Sequence, residues 1–208
     1  MFTWVVGVPN GGTSCVAKII DTLGVFMGDI PKKRAPFGRS YRAYEAKDFW
    51  PVINNHHPWM STHRCPDVEA FAEACAEYAR GRNKKQPMME HGVKLWMNEA
   101  LHSDVLFNGD HRFVFVDRPF ERCISGFQRY NKLGLGQLDN FRMYCRHLEA
   151  GWITGLEKAR ELGVTSCWLP YNDLVKQPEI EIHRLVSELK LNPVKRQIED
   201  AIKVVRNV

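Results

Sequence analysis

No two cysteines in this 208-residue chain are spaced C-x-x-C, and no His/Cys spacing matches a zinc site. The six cysteines, Cys15, Cys65, Cys75, Cys123, Cys145 and Cys167, are scattered through apolar segments. That distribution argues against a disulfide framework and reads as reduced, small core residues of a cytoplasmic protein. No run approaches the roughly 20 apolar residues of a membrane span. The opening MFTWVVGVP lacks a basic n-region, so it reads as a first strand and not as a signal peptide. There is no internal repeat, low-complexity tract or long linker, and one domain over 1–208 is expected. Neither sign of charge is in large excess: the net charge is +5. A mild positive balance suits small polyanions, and with no nucleic-acid motif in the chain no nucleic-acid partner is expected. The oligomeric state is left open.

What is present is ordinary globular material, 44% hydrophobic and 25% charged, enough for one sizeable core. Residues 2–8 form a continuous apolar run, the mark of a buried parallel strand. Turn residues 9–12 follow. Val16, Ile19, Ile20 and Leu23 then recur at helical spacing over 13–23, and Gly24 supplies the stop. The stretch 28–65 carries Pro31, Pro36, Pro51 and Pro58 with many aromatics, and reads as loop with short helical pieces. Beyond it the pattern predicts a helix over 67–82, a short strand over 91–95 and a strand over 112–117. Pro119 opens a helix running to about Lys132. A long helix over 138–162, a strand over 164–169 and helices over 178–190 and 193–206 complete the chain. Strands alternating with helices predict an α/β fold: three layers, α/β/α, around a central parallel sheet of the P-loop NTPase-like kind. Ligands of such sheets bind beyond the carboxyl ends of the strands.

Two motifs fall at that edge. Residues 7–14 read G-V-P-N-G-G-T-S. Against the phosphate-loop pattern G-x-x-x-x-G-K-[ST], Gly7, Gly12 and Ser14 fit, while Thr13 stands where the lysine belongs. Glycines let backbone N–H groups turn toward an anion, and the head of the following helix adds its own donors and dipole. The second motif is F-V-F-V-D-R-P-F-E-R-C-I-S-G-F, a strand, a proline and a helix bearing Arg122 and Ser125 on one face.

Taken in order along the chain, these motifs resemble the sulfotransferase family. Its 5'-phosphosulfate loop is similar to P-N-G-G-T-S here, with Pro9, Gly12, Thr13 and Ser14 matching, Asn10 in place of the basic residue and Gly11 in place of a serine. The strand ending in R-[DN]-P, with a serine six residues after the proline, resembles Asp117-Arg118-Pro119 and Ser125, the Arg and Asp being interchanged. The segment W-L-P-Y-N-D-L-V-K-Q-P and the central strand G-V-K-L-W, bearing Lys94, also resemble the family.

The resemblance implies transfer of a sulfuryl group from PAPS, leaving PAP, to a hydroxyl or amine acceptor, small-molecule or carbohydrate, with no metal required. Pro9, Asn10, Gly11, Gly12, Thr13 and Ser14 would hold the 5' end of the nucleotide. Arg118 or Arg122, with Ser125, would hold the 3'-phosphate. Catalysis needs donors on the leaving phosphate oxygen and a base for the acceptor proton. Asn10 is uncharged, so Lys94 or a lysine of the 31–34 run would neutralise that oxygen. Trp96 stands where cytosolic relatives carry a histidine. The base is therefore sought among Glu90, His91, Glu45, His56 and His57. The 28–65 stretch, with Lys32, Lys33, Arg34, Arg39, Arg42, Tyr41, Tyr44, Trp50 and Trp59, would face the acceptor. Two other readings stand beside this one. A nucleotide kinase would use Asp117 for magnesium, but lacks the loop lysine that such chemistry relies on. A degenerate relative would bind nucleotide without turnover.

Overall fold

The computed structural model describes residues 1–28, 46–56, 65–95, 98–131 and 135–207, and the side chains of these other than 127–138. The predicted lysines, arginines and aromatics of the 29–45 segment, with Glu45, His57, Trp59 and Trp96, lie outside the described residues.

In chain order the elements are β1 (Phe2–Val6), α1 (Thr13–Thr22), α2 (Trp50–His56), α3 (Val68–Lys85) and β2 (His91–Leu95). Two 3-10 turns, Asn98–His102 and Asp104–Phe107, lead to β3 (His111–Asp117), α4 (Phe120–Asn131) and α5 (Leu135–Glu161). The chain closes with β4 (Ser166–Pro170), α6 (Tyr171–Lys176), α7 (Pro178–Glu188) and α8 (Lys195–Arg206). The strands form one parallel sheet in the order β2-β1-β3-β4, the arrangement expected from the alternation of strands and helices. The elements that patterning did not foresee are short. The two 3-10 turns and α6 span too few residues for a hydrophobic period to show.

Alternation along the central strands sorts side chains to two faces. Phe2, Trp4 and Val6 of β1, with Phe113 and Phe115 of β3, point to one face and pack with α2, α3, α5 and the 3-10 turns. Aromatic contacts run through this layer, Phe107 on Phe113 at 4.9 Å and Phe113 on Phe115 at 5.8 Å. Val5, Val114 and Val116 point to the other face and meet α1, α6, α7 and α8. A sheet covered on both faces favours strands that are largely apolar on both sides, which is why β1 is apolar at every position but Thr3.

The amino edge of the sheet is closed by polar groups. The Trp4 indole donates to His111 Nδ1 at 2.7 Å. Arg112, 1% exposed, donates to Thr3 Oγ1 at 2.6 Å, to the Leu189 carbonyl at 3.2 Å and to the Glu90 carboxylate. His91 pairs with Phe2, the first residue of β1. Glu90 and His91 therefore sit at the end of the sheet opposite the β1–α1 loop, and neither is placed to serve a site there. Glu90 is committed to Arg112, and the His91 Nε2 lies 3.2 Å from the Gln86 carbonyl.

These contacts set two expectations. Arg112→Met strips partners from buried oxygens and should lower the unfolding free energy by about 2–4 kcal/mol. Glu90→Gln, at a carboxylate 48% exposed, should cost less than about 1 kcal/mol. Urea denaturation of the two variants gives both values, and equal losses would show the knot has been misassigned. Burial also pushes the His111 imidazole down to about 4, below its ordinary value of about 6.5 in an unfolded chain. The unfolded state then binds the proton first, so stability is full above pH 6.5 and is lost as pH falls toward 4. Burial lowers His91 and His102 in the same direction. The urea midpoint should drop between pH 7.5 and pH 5, with His111 alone contributing about 2 kcal/mol. An unchanged midpoint would contradict the buried neutral histidine.

Candidate functional site

At the carboxyl edge, β1 leaves the sheet at Val6 and turns through residues 7–12 into α1. The loop closes on itself by the Gly11 N–H donating to the Val8 carbonyl at 2.9 Å. Two backbone facts explain its residues. Gly12, the cap of α1, has φ +94, and a Cβ there would fall 2.3 Å from the Tyr171 ring. A Cβ on Gly11 would lie 2.7 Å from the Val8 carbonyl oxygen, so the serine of the sulfotransferase loop has no room at this position. Asn10 has φ +60, a left-handed conformation that Asn tolerates better than a longer basic side chain. The cap residue Gly12 has no side chain to cap α1, and among the described residues this leaves first-turn N–H groups for an external acceptor. Thr13 is buried, Ser14 is half-buried, and Pro9 and Asn10 form the half-exposed rim.

Lys94, and either Arg118 or Arg122, were expected to bring positive charge here, and the three side chains lie in different settings. Lys94 points to the α1 face of the sheet, because its neighbours Val93 and Leu95 fill the other face. Its side chain is 5% exposed, and Nζ donates to Ser14 Oγ at 3.3 Å. An ammonium thus reaches the head of α1 from the neighbouring strand.

Arg118, one of the two arginines offered for the 3'-phosphate, is drawn in to the loop: Nη1 donates to the Asn10 carbonyl at 2.8 Å, and the guanidinium lies 5.1 Å from the centre of the Tyr171 ring. Its Nε is buried with no hydrogen-bond partner among the described residues. The Asp117-Arg118 interchange is accommodated by making the arginine a strut for the loop.

Arg122, in the first turn of α4, is exposed, and its side chain makes no hydrogen bond or ion pair among the described residues. Glu121, the carboxylate beside it in sequence, pairs instead with Arg142 at 3.1 Å. Ser125 Oγ donates to the Glu121 carbonyl at 2.7 Å, which leaves its lone pairs, but not its proton, for other partners. A Cβ on Gly126 would sit 3.6 Å from the Asn10 Cβ, so α4 and the loop pack closely.

Tyr171 lies in the W-L-P-Y-N-D-L-V-K-Q-P segment singled out in the sequence, though not as a residue of the site. It begins α6 at the carboxyl end of β4, supports Gly12 and Arg118, and is hydrogen-bonded to Cys15. Burial, then the Cys15 thiol, pushes its phenol up to about 12, so the ring remains neutral. The signal in the sequence was its place directly after a strand-ending proline. Among the other candidates, His56 ends α2, its ring 6.2 Å from Phe71. Among the described residues no three His, Cys, Asp or Glu side chains group so as to hold a metal ion, and no helix is long and apolar enough to cross a membrane.

A parallel sheet between helical layers, with a glycine-rich loop at the head of α1, places the fold in the P-loop-like class. Two solved structures narrow it. Sulfotransferase STF9 from Mycobacterium avium matches 97% of this chain and 66% of its own, with TM-score 0.58 and 11% identity. The sulfotransferase domain of the Synechococcus PCC 7002 olefin synthase matches 96% of this chain and 76% of its own, with TM-score 0.54 and 14% identity. The chain therefore has a sulfotransferase-like fold, and spans about two thirds of the length of the Mycobacterium protein. No family model and no curated sequence matches it.

The loop geometry yields a test of its own. Gly12→Ala forces a side chain into a left-handed position against an aromatic ring. It should lower stability by more than about 1 kcal/mol and weaken anion binding at the loop, measured with pyrophosphate, by at least about tenfold. Gly163→Ala is the control. Gly163 also has positive φ, +65, but nothing lies within 4 Å of its added Cβ, so anion affinity there should be unchanged. Equal affinity of all three proteins would remove the loop from the site.

Proposed function

We propose that the protein binds 3'-phosphoadenosine 5'-phosphosulfate across the β1–α1 loop and the head of α4, and transfers its sulfuryl group to a hydroxyl or amine acceptor. The observation that carries this reading is the Lys94 ammonium at Ser14, 3.3 Å away. It supplies positive charge at the loop, where the loop itself has none. The residues present suit the nucleotide. Gly11 and Gly12 admit a close ligand, the Gly12 cap leaves first-turn N–H groups of α1 without a side-chain partner among the described residues, and Arg122 on the neighbouring α4 is a guanidinium without a side-chain partner among them. When bound, the phosphosulfate supplies a sulfuryl group on a phosphate leaving group.

The roles of the chain's own residues follow. Lys94 and the α1 head stabilise negative charge growing on the leaving oxygen, as preorganised donors do. Asn10 lends a neutral hydrogen bond at the rim. Arg122 grips the 3'-phosphate, a guanidinium matching phosphate with two parallel bonds, and Ser125 stands one turn further along the same face. Arg118 keeps the loop in shape. The acceptor is read as a small molecule or carbohydrate meeting the 28–65 stretch. One observation favours a second reading, nucleotide binding without turnover: Asn10 replaces a charged residue and Arg118 is spent on the loop backbone.

Calorimetric titration with PAP and AMP separates these readings. PAP should bind more tightly than AMP by about tenfold to hundredfold, the worth of a charge-assisted bond set of about 1.5–3 kcal/mol. Arg122→Ala should erase that preference. Lys94→Met should lower PAP release from PAPS by about a hundredfold or more while PAP still binds. PAP binding without turnover in the unaltered protein supports the second reading, and equal binding of PAP and AMP sinks the first.

A further inference from the structure

The carboxyl edge holds another polar pair, on the α5 side of the loop. The chain leaving β2 turns into the Asn98–His102 segment and sets Glu99 beneath α5. Glu99 is 1% exposed, and its Oε1 lies 3.5 Å from Nε2 of His147, whose side chain keeps 29% of its surface. The carboxylate is inside and the imidazole reaches out. The two backbones are clamped together beside the pair. Asn98 Nδ2 donates to the Leu148 carbonyl at 3.0 Å, and a Cβ on Gly151 would fall 2.6 Å from the Asn98 carbonyl oxygen. The same stretch of α5 abuts the phosphate loop, since Leu148 and Tyr144 pack in one cluster with Val8 and Cys123.

We infer that His147 is the proton acceptor of the transfer reaction and Glu99 its positioning residue. The inference rests on the sulfuryl-transfer reading above. His147 Nε2 faces Glu99 Oε1 at 3.5 Å, and an N–H placed on that nitrogen would hold the imidazole in one tautomer with the Nδ1 lone pair turned to the acceptor. A contact of 3.5 Å in a ligand-free protein is of the kind that tightens when substrate binds. In the step, the acceptor oxygen bonds to sulfur, its proton passes to His147 Nδ1, and the bridging sulfur–oxygen bond breaks. The leaving phosphate oxygen keeps that electron pair. The imidazolium is balanced by the buried Glu99 charge.

The neighbouring groups do not compete for this proton. Burial raises the Cys65 thiol and the Tyr144 phenol, and the Glu99 charge raises both further. Burial lowers His102, and His147 lowers it further. Lys158 is taken by the His102 carbonyl and Asp104.

The test uses three proteins: the unaltered chain, Glu99→Gln and His147→Ala. Long-range 1H–15N NMR should show the His147 ring protonated at Nε2 and bare at Nδ1. In Glu99→Gln that signature should give way to a mixture. PAP affinity, by calorimetry, should stay within about twofold in both variants. PAP release from PAPS, with 2-naphthol and N-acetylglucosamine as probe acceptors, should fall at least about tenfold in Glu99→Gln and about a hundredfold in His147→Ala. Added imidazole should restore part of the latter, which a purely structural role would not allow. Unchanged release in His147→Ala, no rescue, or an Nδ1-protonated ring each overturns the inference. PAP binding with no transfer by the unaltered chain also overturns it, leaving the binding site intact. Failure of the unaltered chain to bind PAP overturns the site itself.

Discussion

The hydrogen bond from Arg118 to the Asn10 carbonyl is the contact on which the carboxyl edge depends. It joins the end of β3 to the turn after β1, and the Tyr171 ring beneath it closes the stack on Gly12. Three strands thus fix one loop: β1 by continuity, β3 through Arg118 and β4 through Tyr171. The loop needs such support because its own bonding is sparse, a single Gly11 to Val8 turn and an uncapped helix. A left-handed Asn10 carries a cost that the surroundings must cover, and the arginine is the group in place to do it.

The arrangement of charge follows from that commitment. With Asn10 neutral, positive charge comes to the loop from the end of β3 through Arg118 and from β2 through Lys94, and to the head of α4 through Arg122. The amino edge shows the contrary economy. There Arg112 is saturated by three oxygens and the Trp4–His111 bond fills the remaining space. One end of the sheet spends its polar groups on cohesion, and the other leaves donors open to solvent.

Much of this architecture was legible in the chain. The apolar run of β1, the helical spacing of Val16, Ile19 and Ile20, and the proline before α4 each mark their element because burial or backbone geometry demands those residue types. The loop was legible for the same reason, since Gly11 and Gly12 stand where no side chain fits. Less was readable where partners come from distant sequence. Whether Arg118 or Arg122 stays free depends on a carbonyl 108 positions away. Glu90 and His91 stood among the candidate bases, but strand pairing sets them at the far end of the sheet from the loop. Glu99 and His147 are 48 positions apart in the chain, and no local pattern joins them.

The side on which Lys94 emerges is decided by pairing alone. Lys94 stands opposite Val5, and shifting β2 by one position along β1 would turn its ammonium into the aromatic layer and bring an aliphatic chain to Ser14. The registration of an outer strand is thus part of the chemistry of the site. It is secured from outside by the Phe26 segment, whose N–H donates to the Glu90 carbonyl at 2.8 Å and whose carbonyl accepts from Gly92 at 3.0 Å. Loss of the Phe26 N–H, remote from any ligand, would then act on the loop by loosening the frame that aims a single ammonium.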